Sequence, residues 1–301
     1  MKLNVLMSSY NGEKYIAEQV DSILAQKTDF QVVLTVRDDG SKDRTREILQ
    51  NYADIGKLKW YNGENLRSAK SFWNLLRNCE DADYYAFCDQ DDFWFEDKLQ
   101  KAVKKLSEED RSKPLLYCGS VIVADEHLCA LPMEVSDIHY TDFAHSLIYS
   151  LAPGCTFVFN DAARKELLKY DADKYRIYMH DWLAHQIIAM RGKVIFDTEA
   201  LMLYRQHGNN VVGAQKKGLG KYIEKVKRFF ATKDPVRSNM AAAILEQYRD
   251  GNDPCVNEIL DMVANYKSNH ELKKKFKKDV RFKSEGLNGF ALKILIAMNK
   301  I

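Results

Sequence analysis

No apolar run in this chain approaches the roughly 18 to 20 residues that cross a bilayer, and the opening Met1-Lys2-Leu3-Asn4-Val5 enters a strand pattern rather than a signal peptide. A cytoplasmic protein is expected. Cysteine pairs are missing as well: Cys79, Cys88, Cys118, Cys129, Cys155 and Cys255 form no C-x-x-C, and several sit in apolar runs, so they read as reduced core residues. There are no internal repeats and no long low-complexity tract. Net charge is nearly absent, at +2, but it is unevenly spread. Residues 214 to 301 hold 19 Lys or Arg against 10 Asp or Glu, and residues 1 to 213 hold 26 against 33. With 301 residues, 46% hydrophobic, the chain can bury a large α/β core plus an appendage.

What is present begins with alternation. Val5 to Ser8 reads as a strand, and Ile16, Val20, Ile23 and Leu24 recur at helical spacing after Asn11-Gly12. Val32 to Val36 is a second strand, followed by a helix with Ile48, Leu49 and Tyr52 on one side and Ser41 or Asp43 at its start. Leu58 to Tyr61, a helix from Ala69 to Cys79 with Phe72, Leu75 and Leu76 inward, and the strand Tyr84 to Cys88 continue the series. Strands alternating with helices predict a parallel sheet covered on both faces. Leu115 to Ala124 and Thr156 to Asn160 would extend it, and a helix is expected from His180 to Met190.

The strand Tyr84 to Cys88 ends in Asp89-Gln90-Asp91-Asp92, three carboxylates within four residues. Such a cluster at the end of a buried strand is costly without a cation, and oxygen-only sites suit Mg²⁺ or Mn²⁺. A metal-bound phosphate is one reading and a solvated acidic turn the other. Ligands of such sheets bind at the C-terminal strand ends, which here are Ser8 to Asn11, Asp38 to Ser41 and Asp89 to Asp92. All three clusters fall on one rim.

Five segments in order carry a resemblance: Met7-Ser8-Ser9-Tyr10-Asn11-Gly12, Arg37-Asp38-Asp39-Gly40-Ser41-Lys42-Asp43, Cys88-Asp89-Gln90-Asp91-Asp92-Phe93-Trp94, Met179-His180-Asp181-Trp182 and Tyr204-Arg205-Gln206-His207-Gly208-Asn209-Asn210. From residue 3 to about 213 the chain resembles the family-two glycosyltransferases of the GT-A fold, in particular bacterial rhamnosyltransferase-like members. The resemblance implies a Rossmann-like α/β catalytic domain over 1–213, its mostly parallel sheet flanked by helices, and a basic helical region over 214–301.

The resemblance also implies roles. Tyr10 would stack on the base while Ser8 and Asn11 line the nucleotide pocket, and stacking offers roughly 1 to 3 kcal/mol. Asp39 would accept the N3 hydrogen of uracil or thymine. Arg67 and Lys70 would stand near the diphosphate, and Asp89 and Gln90 beside the ribose and sugar. Asp91 would bind the Mn²⁺ or Mg²⁺ ion, and His207 would close over the diphosphate or complete the metal site. Arg205 would pair with a phosphate. Asp181 would act as general base, giving an inverted product. Gly154, in Pro153-Gly154-Cys155, would leave room for the acceptor, with His180 and Trp182 beside it; His180 departs from the acid usual at its position, which leaves three roles for it: tuning Asp181, contacting the acceptor, or pointing into the core. No Q-x-x-R-W element of processive synthases occurs, so single transfers are expected. Simpler readings stand beside these: a capping turn for Asp38 to Ser41, an N-cap for His180-Asp181 and a surface-loop histidine for His207.

The expected activity is transfer of rhamnose, glucose or another hexose from a UDP- or dTDP-sugar to a growing glycan, lipid-linked or protein-linked, with no nucleic-acid partner. Nucleotidyl transfer to a sugar phosphate would call for a Gly-rich basic loop after the first strand, and Ser8 to Gly12 holds one glycine. A non-catalytic nucleotide-sugar-binding protein would have no need of Asp39, Asp91 and Asp181 together. In the basic region, Lys221, Lys225, Lys227 and Arg228 accompany Tyr222, Phe229 and Phe230, and Lys273 to Lys278 precede Phe290 to Ile296. That pattern suits peripheral contact with the inner face of a membrane, or else packing on the catalytic domain or on a second subunit.

Overall fold

The structure, a computed structural model, describes residues 1–132, 139–207, 235–284 and 286–301. The boundary drawn at 213/214, the end of the last motif (Gly208, Asn209, Asn210) and the stretch from Lys221 to Phe230 lie outside the described residues.

Strands β1 (Lys2–Ser9), β2 (Gln31–Asp38), β3 (Lys59–Asn62) and β4 (Tyr84–Cys88) are parallel in the order β3-β2-β1-β4, linked by α1 (Ile16–Leu24), α2 (Thr45–Asp54) and α3 (Arg67–Asn78). Both faces of these strands are covered, so apolar residues point both ways. Leu3, Val5 and Met7 pack with Ile16, Val20, Ile23 and Leu49 on one face, while Leu6, Tyr85 and Phe87 pack with Phe72, Leu75 and Leu76 on the other.

The rest extends and braces this half. After the two-residue β5 (Phe93–Trp94) come α4 (Lys98–Ser107), β6 (Leu115–Gly119), β7 (Ile122–Ala124), α5 (Phe143–Ser146), β8 (Val158–Asn160), α6 (Asp161–Leu167), α7 (His180–Arg191), β9 (Lys193–Asp197) and β10 (Met202–Arg205). The large sheet continues β4-β8-β6-β9, with β8 antiparallel to both neighbours. Asn160 fixes that strand: its Oδ1 accepts from Leu115 N and Ala163 N, and its Nδ2 donates to Arg111 O and Lys113 O. A second sheet, β5-β10-β7, lies over the end of β4 and carries Arg205 and His207 to the acidic loop.

Helices α8 (Val236–Tyr248), α9 (Pro254–Asn265), α10 (His270–Lys278) and α11 (Gly286–Ala297) follow. Ile244, Leu260, Val263, Tyr266, Phe276, Leu292 and Ile296 join the same core as Leu183, Ile187 and Ile188 of α7. Among the described residues no helix is long and apolar enough to cross a membrane.

Candidate active site

The rim is built from loops tied to one another. At the end of β2, Asp38 Oδ2 accepts from Gly40 N at 3.0 Å and Ser41 N at 2.8 Å, the capping turn in its simple form. Gly40 has φ 87°, a conformation that favours glycine. Asn11 N donates to Ser41 Oγ and Asn11 Oδ1 accepts from Lys42 N, so the first two loops are laced together. Gln90 does the same for the first and third: Oε1 accepts from Ser9 Oγ and Tyr10 N at 2.9 Å, and Nε2 donates to Tyr10 O at 3.0 Å. Its amide is thus engaged by backbone and Ser9 and laces the first loop to the third. A Cβ at Gly12 would stand 2.1 Å from Gln90 Oε1.

Behind this lacing runs a buried polar chain. Ser8 Oγ meets Ser71 Oγ at 2.6 Å, Arg37 Nη1 donates to Ser71 Oγ at 2.9 Å, and the Arg37 guanidinium pairs with Asp39. Leu66 N donates to Asp39 Oδ1 at 2.9 Å. Asp39 is 2% exposed and Tyr10 43%, so the carboxylate is preset while the ring stands at the surface. Arg67 and Lys70 are exposed at the first turn of α3, and neither meets a carboxylate among the described residues. Arg37 was not singled out from sequence, although its place one residue before Asp38-Asp39 at the strand end was the available signal.

The acidic loop concentrates like charge. Burial, then the charges of Asp91 and Asp181, push the Asp89 carboxyl up to about 7, and burial with Asp91 and Asp89 raises Asp92 well above the carboxylate range. Asp89, Asp92 and Cys155 each bring a ligand atom within 4.8 Å of the others, and Asp92 Oδ2 is buried without a hydrogen bond. His207 Nε2 lies 2.8 Å from Asp91 Oδ2, so the histidine reaches the loop instead of solvent. These oxygens, mutually repelling and short of partners, fit a hard divalent cation; the Cys155 thiol, pushed up by burial, does not add a soft anionic ligand.

Arg205 is corrected from a phosphate ligand to an internal clamp. It is 2% exposed, donates to Asp91 O at 2.7 Å and Glu126 O at 2.5 Å, pairs with Glu18, and through its own N–H holds Asp92 Oδ1. Lys98 was not singled out from sequence. It is 2% exposed, its ammonium stands 4.0 Å from the Trp94 ring centroid with no hydrogen bond, and burial pulls it down to about 8. Asp92 lies among the charges it feels.

Asp181 opens α7 and is 6% exposed; Oδ2 accepts from Gly154 N at 3.1 Å and Oδ1 from Trp182 N at 2.7 Å. Gly154 has no room for a side chain: a Cβ would meet His180 Nε2 at 2.8 Å and Asp181 Cβ at 3.0 Å. The glycine therefore lets the helix start close in. His180 and Trp182, expected beside the acceptor, turn inward. The His180 ring stacks on Phe72 at 3.9 Å, with burial lowering its pKa, and Trp182 Nε1 donates to Ser146 O at 2.6 Å. Apolar neighbours surround both rings.

Residues 4–126 match the model of glycosyl transferase family 2. The dTDP-rhamnosyl transferase RfbG of Shigella flexneri is 29% identical over 231 residues, 72% of this chain and 76% of that protein. An uncharacterized glycosyltransferase of Rickettsia typhi is 27% identical over 210 residues, 68% of this chain and 64% of its own length. Among solved structures, Staphylococcus aureus TarS 1–349 in complex with UDP-GlcNAc matches with a TM-score of 0.57 at 18% identity, over 98% of this chain and 81% of that one. A mannosyltransferase of Pyrobaculum calidifontis in complex with GDP-Man and Mn²⁺ matches with a TM-score of 0.50 at 16% identity, over 97% and 86%. The resemblance to family-two glycosyltransferases is borne out, and the fold is the GT-A α/β fold with added C-terminal helices. Over residues 4–126 the chain is similar to family-two glycosyl transferases.

Proposed function

We propose that this protein moves a sugar, with inversion and with the help of a divalent cation, from a UDP- or dTDP-sugar to a hydroxyl of a growing glycan. The observation that carries the reading is electrostatic: Asp89 feels both Asp91 and Asp181, so the acids assigned to the donor and the acid assigned to the acceptor share one rim. The candidate base is thus near the acids assigned to the donor.

Asp181 takes the proton of the acceptor hydroxyl as that oxygen attacks the anomeric carbon, and the bond from that carbon to the diphosphate breaks on the opposite face. The Gly154 and Trp182 N–H groups hold the carboxylate in place. Tyr10 stacks on the base, and Asp39, oriented by Arg37 and Leu66 N, accepts the N3 hydrogen of uracil or thymine. Ser8 and Asn11 support that pocket, and Arg67 and Lys70 bring positive charge toward the diphosphate. Asp91, with Asp89 and His207 beside it, would hold a divalent cation, which when bound would supply neutralising charge for the nucleoside diphosphate leaving group.

A panel of UDP-, dTDP- and GDP-sugars tested for hydrolysis with and without Mn²⁺ examines this reading. Mn²⁺-dependent hydrolysis of a UDP- or dTDP-sugar is expected. A preference for a GDP-sugar would overturn the base assignment, and metal-independent turnover the cation assignment.

A further inference from the structure

Helix α11 is apolar on two sides. Leu292, Leu295 and Ile296 face the core at 3%, 8% and 1% exposure, while Ala291, Ile294, Ala297 and Met298 are exposed. At 100° per residue, Ile294 and Ala297 lie opposite the buried arc, with Ala291 and Met298 along one edge. A helix apolar all round is normally covered, and here one side is open. Alongside it, Lys273 of α10 donates to Ala297 O at 2.9 Å and Asn299 Oδ1 at 2.8 Å, which sets the two helices next to each other. Lys274, Lys277, Lys278, Lys283 and Lys293 are exposed and meet no carboxylate among the described residues. Val280, at the far end of α10, is 78% exposed.

We propose that α10 and α11 form a docking surface for an anionic lipid bilayer, with Ile294 and Met298 entering the interface and the lysines meeting lipid phosphates. Charge selects the occupant: the lysines call for an anionic surface, and the exposed aliphatic side chains call for an apolar phase behind it. Position agrees. Lys283 O lies 3.3 Å from His145 Nε2 in α5, and the next residue of α5, Ser146, accepts the Trp182 N–H beside Asp181. The surface thus adjoins the elements that carry the proposed base, where a glycan anchored to lipid would present its hydroxyl. The inference deepens the proposed function by naming the place of its acceptor, and vesicle binding is read independently of turnover.

The test is sedimentation of the full chain with phosphatidylcholine vesicles, with and without phosphatidylglycerol, at low and high salt. Salt-sensitive binding to the anionic vesicles only is expected. Ile294→Asp should weaken it at least tenfold, and each of Lys274→Glu, Lys277→Glu and Lys278→Glu about fivefold or more. Thermal melts verify that each variant is folded; the lysine variants touch no core residue. Should Ile294→Asp bind as the parent does while salt still releases it, the surface binds polyanions without inserting, and the proposal fails. It fails equally if vesicles are ignored, or if the chain self-associates through Ile294, because a second copy then covers the helix. Vesicle binding without donor hydrolysis would leave this inference standing and remove the proposed function.

Discussion

At the C-terminal rim of the sheet, Asp39, Asp92, Asp181, Arg37, Arg205 and Lys98 are all buried, whereas the deep positions of α8 to α11 are filled by residues such as Ile244, Leu260, Tyr266 and Leu292, with lysines outside. The same chain contains both arrangements. Apolar burial stabilises, at about 25 cal/mol per Å², while each buried charge costs stability unless it is paired. The rim therefore holds its acids at a cost, with Asp92 Oδ2 and Lys98 Nζ lacking hydrogen bonds, and the helices behind α7 contribute stability without that burden. Charge is buried where a ligand would balance it.

Four substitutions sharpen this contrast, beginning with the largest effect. Asp181→Asn should lower transfer by about 10² to 10⁴ while calorimetric affinities for Mn²⁺ and nucleotide stay near those of the parent. Collapse of donor affinity instead would move Asp181 into the nucleotide site. Leu260→Ala, in the apolar layer, should cost about 2 to 5 kcal/mol in urea unfolding and leave nucleotide affinity unchanged. A loss of affinity without loss of stability would show that the two regions are not separate in role.

Acid provides a third route. His185 in α7 is 1% exposed, neither ring nitrogen has a hydrogen bond, and burial lowers its pKa from 6.5 to about 4. The unfolded chain binds that proton more readily, so the contribution of His185 to stability falls as pH drops from about 6.5 toward 4, while the raised Asp89 and Asp92 carboxyls contribute in the opposite sense. His185→Leu should remove that histidine contribution from the unfolding profile. An unchanged slope would place the acid sensitivity elsewhere. The smallest effect belongs to Tyr10→Ala: nucleotide binding should weaken by about 1 to 3 kcal/mol with an unaltered melting temperature, because the ring is exposed. A drop in melting temperature would mean that Tyr10 packs rather than stacks.

Much of the frame was legible as periodicity. The three strand ends appear where Ser8, Asp38 and Asp89 suggested, and the helix expected from His180 to Met190 runs His180–Arg191. The antiparallel setting of β8 was not legible, since a run of three residues carries no direction until Asn160 meets residues more than forty positions away. The same limit explains Gln90 and Arg205, whose partners lie 80 and more positions distant in Tyr10, Glu18 and Asp91. Of the roles open to His180, pointing into the core is the one seen, and adjacency to Asp181 could not select it because it says nothing about which way a ring turns at a helix start. Lys98 resembled any first-turn lysine. Its burial depends on Trp94 and on the sheet built by β10.

The claim that the rim's acids are held for a cation and a nucleotide is tested most directly by calorimetric titration of Mn²⁺ with UDP or dTDP present, comparing the parent with Asp91→Ala. Saturable binding by the parent and its loss in Asp91→Ala, with unfolding unchanged, is the result this account predicts. Equal binding by both proteins, or none by either, would contradict it.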